Sequence, residues 1–197
     1  MTDYAIEDSV RNASIAGQVC GVDEVGRGAL FGPVVAAAVI LDPNRLPQGL
    51  TDSKLLSPSN RNKWSAWIYT HALATGMAWE WNDVIDEINI LQATRRAMAT
   101  AVGRLGVDVA HILVDGPIRL DLDTPQTAVI KGDQKSLSIA AASVIAKVLR
   151  DQLMEQMAPF FPEYDLQKNR GYPTNRHRSV LSCTGLSTYH RMSFRKG

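Results

Sequence analysis

Val22-Asp23-Glu24-Val25-Gly26-Arg27-Gly28 places two adjacent carboxylates beside an arginine held between glycines, with an apolar run on either side. Residues 18–23 have the pattern of a strand entering a core. Residues 33–41 form a nine-residue run without a charge, the pattern of a strand buried on both faces. Gly26, Gly28, Gly32 and Pro33 mark the loop between them, so the two strands are expected to form a hairpin. Carboxylates hold divalent cations, arginine meets phosphate, and glycine lets backbone approach a ligand closely. The combination suggests a metal-dependent enzyme acting on a phosphorylated substrate, although a short acidic turn beside glycine is also an ordinary cap or loop.

Beyond the hairpin the pattern alternates. Ser57-Pro58 is a cap and first-turn pair opening a helix to about residue 69, and a weaker strand follows over 71–81. Residues 83–105 predict a long helix capped by Asp83, with Ile85, Ile88, Leu91, Ala97 and Val102 on one face. Strands are expected at 109–114 and 127–130, then a second long helix over 136–157 that Pro159 and Pro162 end. Thr174 or Asn175 caps a shorter terminal helix to about 182, and residues 1–15 look like a loose polar lead-in. Early antiparallel strands followed by strand–helix alternation predict an α/β fold, a mixed sheet covered by helices. The early glycines precede a strand instead of opening a helix, which disfavours a dinucleotide-binding fold.

Three strand ends carry acids: Asp23 and Glu24 on the first, Asp115 after the strand at 109–114, and Asp133 after the strand at 127–130. Each alone is also a turn or cap residue, but together they can converge at one sheet edge, where sites form in open α/β architectures. Four carboxylates suffice for two divalent cations, and oxygen-only ligation indicates Mg²⁺ or Mn²⁺ over zinc. There is no phosphate-binding Gly-x-x-x-x-Gly-Lys-Ser/Thr loop, and His71, His111, His177 and His190 show no zinc spacing. His111, inside an apolar strand, is expected to be a packed or hydrogen-bonded core histidine.

The chain has 197 residues, a formal net charge of +1 and 45% hydrophobic residues, as a soluble globular domain has. Seven Lys/Arg and no Asp or Glu fall between residues 166 and 197, whereas the first 165 residues are net acidic. A metal-holding acidic body with a basic end suits nucleic-acid binding, though a solvated basic tail has the same composition. Ser53 and Lys54 are placed to grip phosphate or to form a surface cap. Tyr172, fixed between Gly171 and Pro173 among cations, can stack on a base or cover the core. Trp64, Trp67, Trp79 and Trp81 are expected to pack, and Lys147 to snorkel over apolar surface. Cys20 and Cys183 read as free thiols of a reducing compartment. The absence of a signal-peptide pattern or a membrane-length apolar run makes the expected location cytoplasmic.

These residues resemble a known family. Asp23-Glu24-Val25-Gly26-Arg27-Gly28, Asp52-Ser53-Lys54-Leu55-Leu56-Ser57, Asp115-Gly116, Lys131-Gly132-Asp133, the helix 138–147, Gly171-Tyr172-Pro173-Thr174-x-x-His177 and His190-Arg191-x-Ser193-Phe194 resemble bacterial type 2 ribonuclease H (ribonuclease HII), in order from about residue 18 to 195. The resemblance implies a ribonuclease H-like mixed sheet flanked by helices with a small helical C-terminal extension, divided as a lead-in at 1–15, a catalytic core at 16–158 and a basic substrate-binding segment at 159–197. It implies an endoribonuclease that hydrolyses the RNA strand of RNA–DNA hybrids and nicks duplex DNA 5′ to single embedded ribonucleotides. Water activated by a divalent metal would leave 5′-phosphate and 3′-hydroxyl ends. By motif match Asp23, Glu24, Asp115 and Asp133 are the catalytic metal-binding carboxylates. Gly26, Arg27 and Gly28 match the segment that senses the ribose 2′-hydroxyl, and Tyr172 matches the tyrosine at the ribonucleotide–deoxynucleotide junction. Leu55 departs from the pattern, since a second basic residue is common there. The expected protein is a monomer with no sliding-clamp-binding tail. A resolvase or transferase of related fold, or a non-catalytic nucleic-acid-binding module, are the competing readings.

Overall fold

A computed structural model describes residues 2–13 and 17–196. Among them are five strands and six α-helices: α1 (Ala5–Ala13), β1 (Gln18–Val25), β2 (Val34–Ile40), α2 (Pro58–His71), β3 (Ala74–Glu80), α3 (Asn82–Gly103), β4 (Val109–Asp115), β5 (Gln126–Val129), α4 (Leu137–Met157), α5 (Leu166–Asn169) and α6 (Asn175–Thr184). The sheet order is β3-β2-β1-β4-β5. β1, β2 and β3 pair antiparallel, and β4 and β5 add parallel on the other side of β1. The hairpin and the mixed sheet expected from the sequence are both present.

Every residue of β2 is buried because helices cover both faces of the sheet. Its alternate side chains divide between two cores: Ala36, Ala38 and Ile40 pack with Ala97, Met98 and Ala101 of α3, whereas Val35, Ala37 and Val39 pack with Ala141, Val144 and Ile145 of α4. Small side chains set the spacing. A Cβ on Gly21 would stand 2.3 Å from the backbone of Ser138 and Ile139, so the first turn of α4 rests directly on β1. That contact brings the acid-bearing end of β1 beside the acid-bearing turn before α4.

Three helices differ from the pattern-based expectation, the four-residue α5 being one that no pattern announced. Residues 5–13 of the expected lead-in form α1, whose Glu7 is fully buried and accepts from Ser136 Oγ at 2.6 Å and Ser138 N at 2.8 Å. Its short polar sequence gave no sign of helix, since the partner that stabilises it lies some 130 residues away. Residues 14–16 of that lead-in lie outside the described residues. In α3, Asn89 has left-handed φ (68°) and its side chain accepts from Leu91 N and Gln92 N, restarting the helix. The restart shifts the helical phase: Leu91 is 44% exposed, and Ala93, Ala97, Met98 and Ala101 take the core face. Trp81, not Asp83, occupies the cap position. Trp64 and Trp67 pack edge to face, but Trp79 sits on an edge strand and stays 44% exposed. His111 is half-buried and hydrogen-bonded to Thr127 Oγ1 at 2.8 Å, because short β5 leaves that edge uncovered.

Candidate active site

The register fixes the site. β1 and β4 run parallel with Val22 opposite Val114, so the next residues, Asp23 and Asp115, lie side by side where the pairing of these two strands stops. Glu24 follows Asp23 while β1 still pairs with β2, opposite Ala36. One carboxylate oxygen each from Asp23, Glu24 and Asp115 lies within 4.8 Å of the others. Two residues after β5 comes Lys131, whose left-handed backbone (φ 55°) turns Gly132 N onto Asp115 Oδ1 at 2.6 Å. The same turn buries Asp133, which faces Lys54 Nζ at 3.1 Å. Asp133 therefore adjoins the triad without belonging to it.

Burial raises the proton affinity of all three clustered acids. Asp23 is pushed well above the usual carboxylate range by desolvation, then by Glu24 and Asp115. Glu24 is raised by desolvation despite Arg27, whose guanidinium lies 3.5 Å away, and Asp115 is raised chiefly by desolvation. Like charges held together away from water are relieved by a proton or by a cation. Glu24 Oε2 is buried with no hydrogen-bond partner, an oxygen left for a ligand. An all-oxygen donor set with one orphaned carboxylate oxygen fits Mg²⁺ or Mn²⁺.

The remaining candidate residues divide between surface and support. Ser53 is buried behind the acids, with Oγ 2.9 Å from Ser143 Oγ, and Ser143 in turn bonds the Asp23 carboxyl. Lys54 is exposed, as is Leu55 next to it. Gly26 needs its left-handed φ (93°), and a Cβ there would lie 2.2 Å from Arg150 Nε. Gly28 is different: a Cβ would meet nothing within 4 Å, so its exposed backbone is open to a ligand. Tyr172 is half-buried, with the Arg150 guanidinium 5.1 Å from its ring centroid. Lys147, expected to snorkel, lies 5.9 Å from the same ring and pairs with Asp151 at 2.7 Å.

Two buried arginines tie this surface together, and residue patterns gave no role for them. Arg150 donates to the carbonyls of Pro33, Phe31 and Arg170. Arg191 donates to the carbonyls of Gly32 and Arg27. Gly171, the residue before Tyr172, accepts from Leu30 N at 2.8 Å. The glycine–arginine loop and the tyrosine loop are thus one unit, although about 140 residues separate them.

The family model described as ribonuclease HII matches residues 20–196. The chain belongs to the ribonuclease HII family. Curated ribonuclease HII proteins from Koribacter versatilis and Staphylococcus epidermidis are 52% and 45% identical, aligned over 89% and 95% of this chain and 69% and 73% of theirs. Among solved structures, ribonuclease H2 from Pyrococcus horikoshii superposes with a TM-score of 0.77 at 25% identity, covering 91% of this chain and all of that one. Ribonuclease HII from Archaeoglobus fulgidus, solved in complex with PCNA, gives 0.76 at 28% identity over 89% and 94%. The ribonuclease HII scaffold here is the ribonuclease H-like mixed sheet with added C-terminal helices, and the enzyme is a metal-dependent endoribonuclease.

Proposed function

We propose that this ribonuclease HII cuts the RNA strand of RNA–DNA hybrids and nicks duplex DNA 5′ to a single embedded ribonucleotide, leaving 5′-phosphate and 3′-hydroxyl ends. The observation that carries the reading is the Asp23–Glu24–Asp115 cluster with its orphaned Glu24 oxygen, set beside an open glycine backbone. Asp23, Glu24 and Asp115 would hold the divalent cation, with Asp133 completing the set once Lys54 yields it. Bound there, Mg²⁺ or Mn²⁺ supplies Lewis acidity to the attacking water and the leaving 3′ oxygen.

The protein's own groups supply position and selection. Only the 2′-hydroxyl distinguishes RNA from DNA at the cut, and it can serve as donor and acceptor to backbone near Gly28. Arg27, partly exposed beside Glu24, is placed to meet the adjoining phosphate. Exposed Lys54 is available to a second phosphate. Tyr172 offers a ring for stacking on the sugar or base at the junction, held from behind by Arg150. We read the enzyme as a cytoplasmic monomer; both cysteines, Cys20 and Cys183, are free thiols.

The test is cleavage mapping on a duplex carrying one ribonucleotide, with an all-DNA duplex and a long hybrid beside it, in Mg²⁺ and then Mn²⁺. Nicking 5′ to the ribonucleotide and an intact all-DNA control are expected. Equal cutting of both duplexes would remove the 2′-hydroxyl reading.

A further inference from the structure

His177 and His190 take no part in the chemistry above, yet their four ring nitrogens form a closed chain of hydrogen bonds. Both residues are buried, at 0% and 1% exposure. His177 Nδ1 lies 3.0 Å from the carbonyl oxygen of Tyr172, which can only accept, so Nδ1 carries a proton. His190 Nδ1 lies 2.9 Å from both the backbone N and the Oγ of Ser187; the backbone N can only donate, so that nitrogen is bare and the hydroxyl donates to it as well. The two Nε2 atoms face each other at 3.1 Å. With those tautomers, His190 Nε2–H donates to the lone pair of His177 Nε2. One additional proton would set two N–H groups against each other between the rings, or cost the bond from Ser187 N and leave Ser187 Oγ to accept at Nδ1.

The pair sits where it can couple the two substrate-facing loops. Asn82 holds the backbone of His190 through its side-chain amide. His190 bridges Phe31, and Arg191 N donates to Leu30 O at 2.9 Å. Leu30 N in turn donates to Gly171 O, next to Tyr172. A closed circuit of contacts therefore runs from the 26–33 loop through His190 and His177 to Tyr172 and back through Gly171. The rings of Phe31 and Tyr164 pack edge-on against His190, keeping water out.

We propose that His177 and His190 are positioning residues: a neutral imidazole pair of opposite tautomers that holds the Tyr172 loop in register with the loop carrying Gly26, Arg27 and Gly28. The proposal rests on the reading of Tyr172 as the junction-stacking residue. A pair that merely filled core volume would be replaceable by any ring of similar size. A positioning pair needs its donor at the Tyr172 carbonyl.

The experiment compares kcat and KM on a single-ribonucleotide duplex and on a long hybrid for native protein, Tyr172→Ala, His177→Phe and His177→Asn. His177→Phe keeps a buried ring and removes the donor. It is expected to lose about tenfold in preference for the single-ribonucleotide duplex, the value of one hydrogen bond, with kcat on the hybrid within about twofold. His177→Asn, whose amide can donate to the Tyr172 carbonyl, is expected to regain most of that preference. If Tyr172→Ala loses the preference but His177→Phe keeps it, the positioning proposal fails and the stacking reading stands. If Tyr172→Ala keeps the preference, the stacking reading itself fails. The native protein provides an arm independent of variant folding: ¹⁵N spectra should show His177 protonated at Nδ1 and His190 at Nε2, and the reverse tautomers would overturn the proposal.

Discussion

Lys54 Nζ lies 3.1 Å from the Asp133 carboxylate, bridging the turn before α2 to the turn before α4. Among the described residues the other three acids form no ion pair with a lysine, although the Lys54 charge also reaches Asp115 and Asp23. A cation that recruits Asp133 therefore competes with an ammonium for it, and an ammonium so displaced becomes free for substrate phosphate. Lys54→Met should lower the Mg²⁺ concentration needed for half-maximal activity several-fold and raise KM for nucleic acid. Metal titrations at saturating substrate, and substrate titrations at saturating metal, separate the two effects; an unchanged metal requirement would count against the exchange.

Asp23→Asn and Asp115→Asn should each reduce cleavage by more than about 100-fold, a loss of roughly 3 kcal/mol or more of transition-state stabilisation. Stability without metal should move the other way. Desolvation, and after it the neighbouring carboxylates, raises both carboxyls in the free protein, so the neutral amides are expected to leave the metal-free melting temperature unchanged or higher. Added Mn²⁺ should raise the melting temperature of native protein and not that of Asp23→Asn. A variant that melts early in the absence of metal would indicate that the acids support the fold.

Gly26 and Gly28 stand two residues apart but should respond oppositely. Gly26→Ala meets both a left-handed φ and the Arg150 side chain, which three carbonyls hold in place. Destabilisation of about 2–4 kcal/mol is expected from denaturant unfolding. Gly28→Ala enters open space and should leave unfolding within about 0.5 kcal/mol of native. Its effect should appear as reduced discrimination between ribonucleotide and deoxynucleotide at the cut.

The imidazole pair carries a pH signature. Burial and the neighbouring His177 lower His190 to about 4, and burial lowers His177. A base whose pKa falls on folding binds protons preferentially when unfolded. The pair's contribution is thus complete above the unfolded value, near 6.5, and is lost as pH falls toward about 4, on the order of 2 kcal/mol over that window. The carboxyls of Glu7, Asp23, Glu24 and Asp115 are shifted upward and act with opposite sign. The measurement is therefore the difference in unfolding free energy between native protein and a His177→Asn, His190→Gln double variant from pH 7 to 4. A difference that stays constant with pH would argue against a neutral pair.

Much of the site was legible locally. The apolar pattern placed Asp115 at the end of its strand and Asp23 and Glu24 near the end of theirs, which runs two residues further to Val25, and Ser136 and Thr174 cap the helices that the pattern announces. α3 was legible only in outline, because nothing in its pattern marked the restart at Asn89. α1 was not legible, since a nine-residue polar helix depends on docking Glu7 against the start of α4.

By itself the sequence determined the alternation of strands and helices, the all-oxygen character of the acid set and the glycines of the Asp-Glu-Val-Gly-Arg-Gly loop. These follow from residue type and short-range periodicity, which act within a few residues. Tertiary structure alone decided that three acids cluster while Asp133 pairs with Lys54, that Ser53 lies behind the site, and that Arg150, Arg191 and a histidine pair lock the tyrosine loop to the glycine loop. Those outcomes depend on strand register and on which buried donors find carbonyls. Both are set by burial of the whole sheet between its helices, where an unmet polar group costs more than any local preference supplies.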